Sequence, residues 1–347
     1  MPPLKRRKTT MLNSETKTDG PLCLLTVISD PGKANAMARF ALQNGAQMAY
    51  HFYAHGTAPG HLLALLGLSG VRREMITLTV PEDQGNALLE KLCHQFHFDR
   101  DMSGIAFLQK MDSDGQKSVA EYAYVMIVAV VNEGDGEYVI ESARRCHPVG
   151  ATILRALGTA DHSKKTFDFE IVPQKEVVLI IARICHIDAL HQAIYQDLCS
   201  DQPGRGILFS LALDRVAGLL DRVPDCAESE ETAQDHPETV WEDDRFALFV
   251  VAGRGHTSQV MECVEGAGGT GATILHCRLA TPESGGWYGR LGDPEKEIVL
   301  VIEESEKTRR IREKLEKPSD DPETQPYPVG QLQVVRFNQL SEIRDAP

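Results

Sequence analysis

The sequence predicts an α+β protein made of three tandem units, each running β-α-β-β-α-β. Three observations carry this. Gly150-Ala151-Thr152-Ile153-Leu154 recurs word for word as Gly271-Ala272-Thr273-Ile274-Leu275, 121 residues on, and Lys175-Glu176 recurs as Lys296-Glu297 at the same spacing. A fainter copy lies upstream, where Arg73-Glu74-Met75-Ile76 precedes Lys175-Glu176-Val177-Val178 by 102 residues and Gly104-Ile105-Ala106-Phe107 precedes Gly206-Ile207-Leu208-Phe209 by the same 102. Within each copy, short apolar runs alternate with segments of helical spacing. A repeat of roughly 100 to 120 residues has the size of a small domain. The expected organisation is a polar tail over 1–20, units over 21–110, 121–220 and 245–343, a short linker over 111–120 and an acidic linker over 221–244.

The elements follow in order. In the first unit, 22–28 is an apolar strand broken by Asp30-Pro31-Gly32, and 33–44 is a helix stopped by Gly45. Strands over 47–53 and 74–80 follow, with a short helix around 62–66 between them. Leu88, Leu89, Leu92 and Phe96 share one face of a second helix, and 105–108 is the fourth strand. The second unit repeats this with strands at 124–131, 151–156, 177–182 and 207–211, a helix ending at Arg145 and a second at 187–198; residues 214–219 form a tail. The third has strands at 246–251, 271–275, 297–302 and 332–337, a helix ending at Glu265 and a charged one at 305–316. Each unit is the split β-α-β, or ferredoxin-like, arrangement.

Charge and composition narrow the function. With 36 Lys plus Arg against 50 Asp plus Glu, the net charge is −14, which argues against a nucleic-acid partner. No apolar run reaches the roughly 20 residues of a membrane span, and the N-terminus lacks the apolar core of a signal peptide. Lys5-Arg6-Arg7-Lys8 reads as part of a disordered terminus. Eight cysteines without a Cys-x-x-Cys pair point to free thiols in a reducing cytoplasm rather than a zinc site. His51 with His55, and His94 with His97, read as structural histidines, since a metal needs further ligands. No Ser-His-Asp order, His-Glu-x-x-His or phosphate loop of the Walker type is visible, so no catalytic residue, metal or enzymatic activity is assigned.

The string from Tyr124-Val125-Met126-Ile127-Val128 through Gly150-Ala151-Thr152-Ile153-Leu154 and Lys175-Glu176-Val177-Val178-Leu179 to Gly204-Arg205-Gly206-Ile207-Leu208-Phe209 resembles the PII nitrogen-regulatory protein family, closest to its divergent PII-like branch. The second unit matches over nearly its full length, the first and third more loosely. The resemblance implies a non-enzymatic signal-transduction protein whose three units pack as an intramolecular pseudo-trimer, with further association of chains as the alternative. It also implies a small anionic effector between units, plausibly ATP, ADP or AMP, with Mg and 2-oxoglutarate as a weaker expectation. The connections between strands two and three would then signal to a regulated protein: an enzyme, transporter or regulator. The competing expectation is a CutA-like or ligand-free trimeric scaffold, a protein-interaction module.

The candidate residues follow from chemistry and resemblance together. Gly204-Arg205-Gly206 can converge backbone N–H groups and a guanidinium on an anion, while a tight turn that needs only glycine dihedrals explains the same residues. Its counterparts are Gly104 in the first unit and Gly330 in the third. Arg215, Lys164 and Lys165 complete the expected anion site. Trp287, Tyr288 and Arg290, on a Gly-flanked connection, have the composition of a partner-binding hot spot.

Overall fold

The computed structural model describes residues 20–57, 70–98, 104–112, 121–159, 165–166, 169–170, 173–199, 205–219, 243–280, 295–316 and 327–341. The first segment comprises β1 (Leu22–Ser29), α1 (Ala34–Gln43), β2 (Met48–Thr57), β3 (Gly70–Pro81), α2 (Glu82–Phe96) and β4 (Gly104–Lys110). The second comprises β5 (Tyr124–Asn132), α3 (Gly136–Cys146), β6 (Ala151–Gly158), the two-residue strands β7 (Lys165–Thr166) and β8 (Phe169–Glu170), β9 (Gln174–Arg183), α4 (Ile187–Leu198), β10 (Gly206–Leu213) and β11 (Arg215–Ala217). The third comprises β12 (Arg245–Gly253), α5 (Thr257–Glu265), β13 (Thr273–Ala280), β14 (Glu295–Glu304), α6 (Ser305–Glu316) and β15 (Val329–Gln339).

The expected fold class, three tandem ferredoxin-like domains packed as a pseudo-trimer, is corrected by how these strands pair. Thirteen of them form one sheet in the order β11-β4-β1-β3-β2-β13-β14-β12-β15-β10-β5-β9-β6. Two further ladders, β2–β6 and β13–β6, close nine strands into an antiparallel barrel. The sheet continues past β2 through β3, β1, β4 and β11. The physical reason lies at the strand edges. An edge strand carries a row of unpaired N–H and C=O groups, and closure removes them. Apolar alternation within a strand shows which face is buried, but not which distant strand completes its ladder.

Closure is cyclic. The end of β2 (Ala54 to Thr57) pairs with the start of β6 (Ala151 to Leu154). The end of β6 (Leu157, Gly158) pairs with the start of β13 (Thr273, Ile274), and the end of β13 (Arg278 to Ala280) pairs with the start of β2 (Ala49 to His51). The repeated Gly-Ala-Thr-Ile-Leu string therefore sits where β6 and β13 begin, at this three-way junction.

The long strands show two faces. One set of alternate residues, including Phe52, Met75, Phe107, Val128, Leu179, Phe209, Leu275 and Leu300, lines the lumen as a core shared by all three segments. The opposite set packs under the helices in three separate cores, one centred on each segment. The lumen fits by compensation across strands. Thr26 stands opposite Phe107 and Val128 opposite Phe209, but Phe249 stands opposite Gly330. In the third segment the ring has moved to the neighbouring strand, and a Cβ at Gly330 would lie 2.7 Å from Met111 Sδ.

Residues 214–219 also differ from expectation. Arg215 to Ala217 form β11 and pair with Leu108 to Ala106 of β4, so the end of the second segment extends the first segment's strands.

Candidate functional site

The anion-site expectation centres on the turn entering β10. Gly206 has φ +149°, and a Cβ there would meet the Val130 carbonyl oxygen at 2.0 Å. Only glycine fits so close to β5. Gly104 has nearly the same conformation, φ +153°, with the Ile28 carbonyl oxygen 2.9 Å from a Cβ. The tight-turn explanation thus accounts for both glycines without a ligand. Gly330 is not their counterpart, as was expected from its position. It faces Phe249 inside β15, the place that Phe209 takes in β10.

Arg205 precedes Gly206 at the seam between the second and third segments, where Leu340 N–H donates to the Gly206 carbonyl at 3.0 Å. Arg205 is half-buried and forms no ion pair with the described residues. Arg215 does not join it. It lies beyond the other end of β10, which is about 26 Å long at 3.3 Å per residue, and its guanidinium is held by Glu90 Oε1 at 2.9 Å and Asn86 Oδ1 at 3.5 Å on α2. Of the remaining expected residues, Lys165 opens the β7–β8 hairpin, opposite Glu170. Gly204, Lys164, Trp287, Tyr288 and Arg290 lie outside the described residues.

Three carboxylates that the sequence reading took only as landmarks have a clear task. Ala34 N–H donates to Glu74 Oε2 at 3.1 Å, and Gly136 N–H donates to Glu176 Oε2 at 2.8 Å. In the third segment the Thr257 hydroxyl donates to Glu297 Oε2. Each carboxylate, reaching from strand three of its segment, holds the start of that segment's first helix, where free N–H groups and the helix dipole favour negative charge. The recurring Arg73-Glu74, Lys175-Glu176 and Lys296-Glu297 were the available signal. Two of their basic members are engaged too. Arg73 pairs with Asp30, and Lys175 Nζ donates to Asn132 Oδ1 at 2.7 Å. These helix starts are occupied by the protein's own acids.

The histidines separate. His51 is buried at the β2–β13 pairing, with Nε2 3.9 Å from Glu74 Oε1. Burial holds its pKa below the usual value; Glu74 opposes this and Arg278 adds to it. His55 is four residues away along the same strand, about 13 Å at 3.3 Å per residue, too far to share a metal ion with His51. His94 lies in the last turn of α2, and His97 caps it in the left-handed region at φ 56°. Among the described residues no group of three His, Cys, Asp or Glu side chains is placed to hold a metal.

A polar cluster missed from sequence joins His191, Ser210 and Asn338. With a neutral ring, His191 Nδ1–H donates to Asn338 Oδ1 at 2.9 Å, and Nε2 accepts from the Ser210 hydroxyl at 2.6 Å. Burial depresses the His191 pKa to about 4. The order of groups is that of a nucleophile, base and orienting amide. But His191 is 1% exposed and Ser210 0%, so no substrate reaches them. The cluster ties α4 to β10 and β15.

Among the cysteines, burial pushes the Cys23 and Cys277 thiols up to about 12, so both stay protonated. Cys185 is disulfide-bonded, which corrects the expectation of a free thiol there. No helix among the described residues is long and apolar enough to cross a membrane.

Comparison with known proteins adds little to this geometry. No family model matches the chain, and no curated protein matches it. The solved structures with some similarity include an aspartate kinase from Synechocystis, at 13% identity over 90% of this chain and 44% of the kinase, with a TM-score of 0.19. An anthrone oxidase-like protein aligns at 8% identity over 58% of this chain and 94% of its own, with a TM-score of 0.17. The chain thus spans less than half the length of the kinase, and neither score establishes a common fold.

Proposed function

We propose that the chain is a non-enzymatic regulatory protein that binds a small anionic effector at the seam beside Arg205 and signals to a protein partner through the connections between strands two and three. The observation that carries this is Arg205 itself: half-buried beside a glycine turn and unpaired by the described residues, whereas Arg73, Arg145, Arg215 and Arg336 are each held by a carboxylate. Burying a guanidinium without a counter-charge is costly, and an anion would offset it. The PII-like string around Gly204-Arg205-Gly206 supports an adenine nucleotide as the first class to try. The three connections leave β2, β6 and β13 at the cyclic junction, so a change at one reaches the others through shared ladders.

The test is a thermal-shift titration with ATP, ADP, AMP and cyclic nucleotides, with and without Mg and 2-oxoglutarate. Binding to the native state raises the melting temperature once ligand exceeds its dissociation constant. A shift that Arg205→Ala removes is the expected result. Absence of any shift at millimolar ligand overturns the sensor and leaves the interaction scaffold, a reading favoured by Arg215 being engaged by Glu90 and by the carboxylates at the helix starts.

A further inference from the structure

The barrel lumen is not completely filled. A cavity of about 270 Å³ lies along it, lined by residues of all three segments. Among the described residues, its walls carry no Asp, Glu, Lys, Arg or His side chain. For scale, an apolar cavity of roughly 150 Å³ takes up benzene.

The walls differ in one respect. At the lumen positions where strand one faces strand three, the second segment places Val128 opposite Leu179 and the third places Phe249 opposite Leu300. The first segment places Thr26 opposite Thr77. Their hydroxyl oxygens are 3.3 Å apart, so one O–H is used between them and the other stays free along with several lone pairs. Thr79, on the same wall, has a buried hydroxyl with no hydrogen-bond partner. Tyr50 and Gln109 line this wall too, and the Gln109 amide donates to the Ala212 carbonyl, leaving its oxygen. Burial pushes the Tyr50 phenol up to about 12, so it remains a neutral donor. Apolar side chains fit these positions in the other two segments. Packing alone therefore does not require hydroxyls in the first.

We propose that the lumen binds a neutral, mostly apolar molecule of about two-ring size carrying one hydroxyl or carbonyl group, its body against the second and third segments and its polar group on Thr26, Thr77 and Tyr50. A carboxylate or phosphate fits less well, because none of the described lining side chains offers it a counter-charge. Met48, 38% exposed at the rim beside Gln47, places an outlet at that end. This site is separate from the Arg205 seam and stands independently of it.

The experiment uses the full chain and three probes of one shape, 1-naphthol, naphthalene and 1-naphthoate, titrated by calorimetry at neutral pH. Expected are one molecule of 1-naphthol per chain, weaker naphthalene, and no binding of the anion. The double variant Thr26→Val, Thr77→Leu, which installs the second segment's side chains, should weaken 1-naphthol by about fivefold to tenfold, the loss of one or two hydrogen bonds, while naphthalene binds as well or better. Arg205→Ala should change none of these. Should the double variant fail to fold, the wild-type preference for naphthol over naphthoate still decides. Equal binding of naphthoate, an unchanged naphthol affinity in the folded variant, or no binding up to the solubility of each probe overturns the proposal.

Discussion

The lumen and the helix-covered faces are both apolar cores, yet they are built differently. Under the helices, Val139, Ile140, Leu190 and Ile194 meet strands of their own segment, and Leu88, Leu89 and Leu92 do the same in the first. In the lumen, Phe107, Phe209 and Leu300 belong to one cluster although they come from three segments. The outer cores are mostly local in sequence, although Val335 and Leu340 of the third segment join the second's; the inner core is collective. That difference predicts that the protein folds as one unit rather than three.

The largest expected effect tests this directly. Phe209→Ala opens a hole in the lumen and should cost about 3–5 kcal/mol. Amide exchange should speed in β3 and β14 as well as β9. Leu190→Ala, of similar severity but under α3 and α4, should speed exchange chiefly within 121–213. If the Phe209 variant loosens only the second segment, the collective core is wrong.

The next effect is pH dependence at the seam. His191 titrates near its ordinary 6.5 when unfolded and at about 4 in the fold, so its depressed pKa withholds a proton from the native state. Stability is complete above about pH 6.5 and falls as pH drops toward 4, by at most about 3 kcal/mol, because the unfolded chain then binds more protons. Denaturation midpoints from pH 7 to 4 should fall more steeply for the wild type than for His191→Gln. Equal slopes would show that the buried cluster does not control the seam.

Smaller effects probe the local cores. Glu176→Ala leaves the Gly136 N–H without its carboxylate and should cost about 1–2 kcal/mol, visible as fraying of α3 in amide exchange. Arg215→Ala removes an exposed pair with Glu90 and should cost under about 1 kcal/mol. A cost several times larger in a urea titration would mean that β11 holds the first segment's strands to the second far more firmly than its three residue pairs indicate.

Much of the local structure was legible. The helices at Ile187–Leu198 and Ser305–Glu316 have the bounds that helical spacing gave, because each carries its apolar stripe within a few turns. Closure was not legible. The pairing of Ala54 with Leu154 or of Arg278 with His51 depends on ladders between distant segments, and residue periodicity contains no record of them. The site was partly legible. The position of Arg205 before its glycine was visible, but its separation from Arg215 follows from the length of β10. The role of Glu74, Glu176 and Glu297 was signalled by their recurrence without the reason for it, since that reason is a helix start 40 residues away in sequence.

The Thr26–Thr77 pair has a consequence that depends on the barrel being a single chain. A ring assembled from three identical copies would repeat every substitution three times about its axis, so a hydroxyl pair placed on one wall would stand on all of them. Here one genetic change alters one wall. The lumen can therefore keep two greasy sides and a single wet one, and each of the three rims can drift separately without disturbing the ring they share.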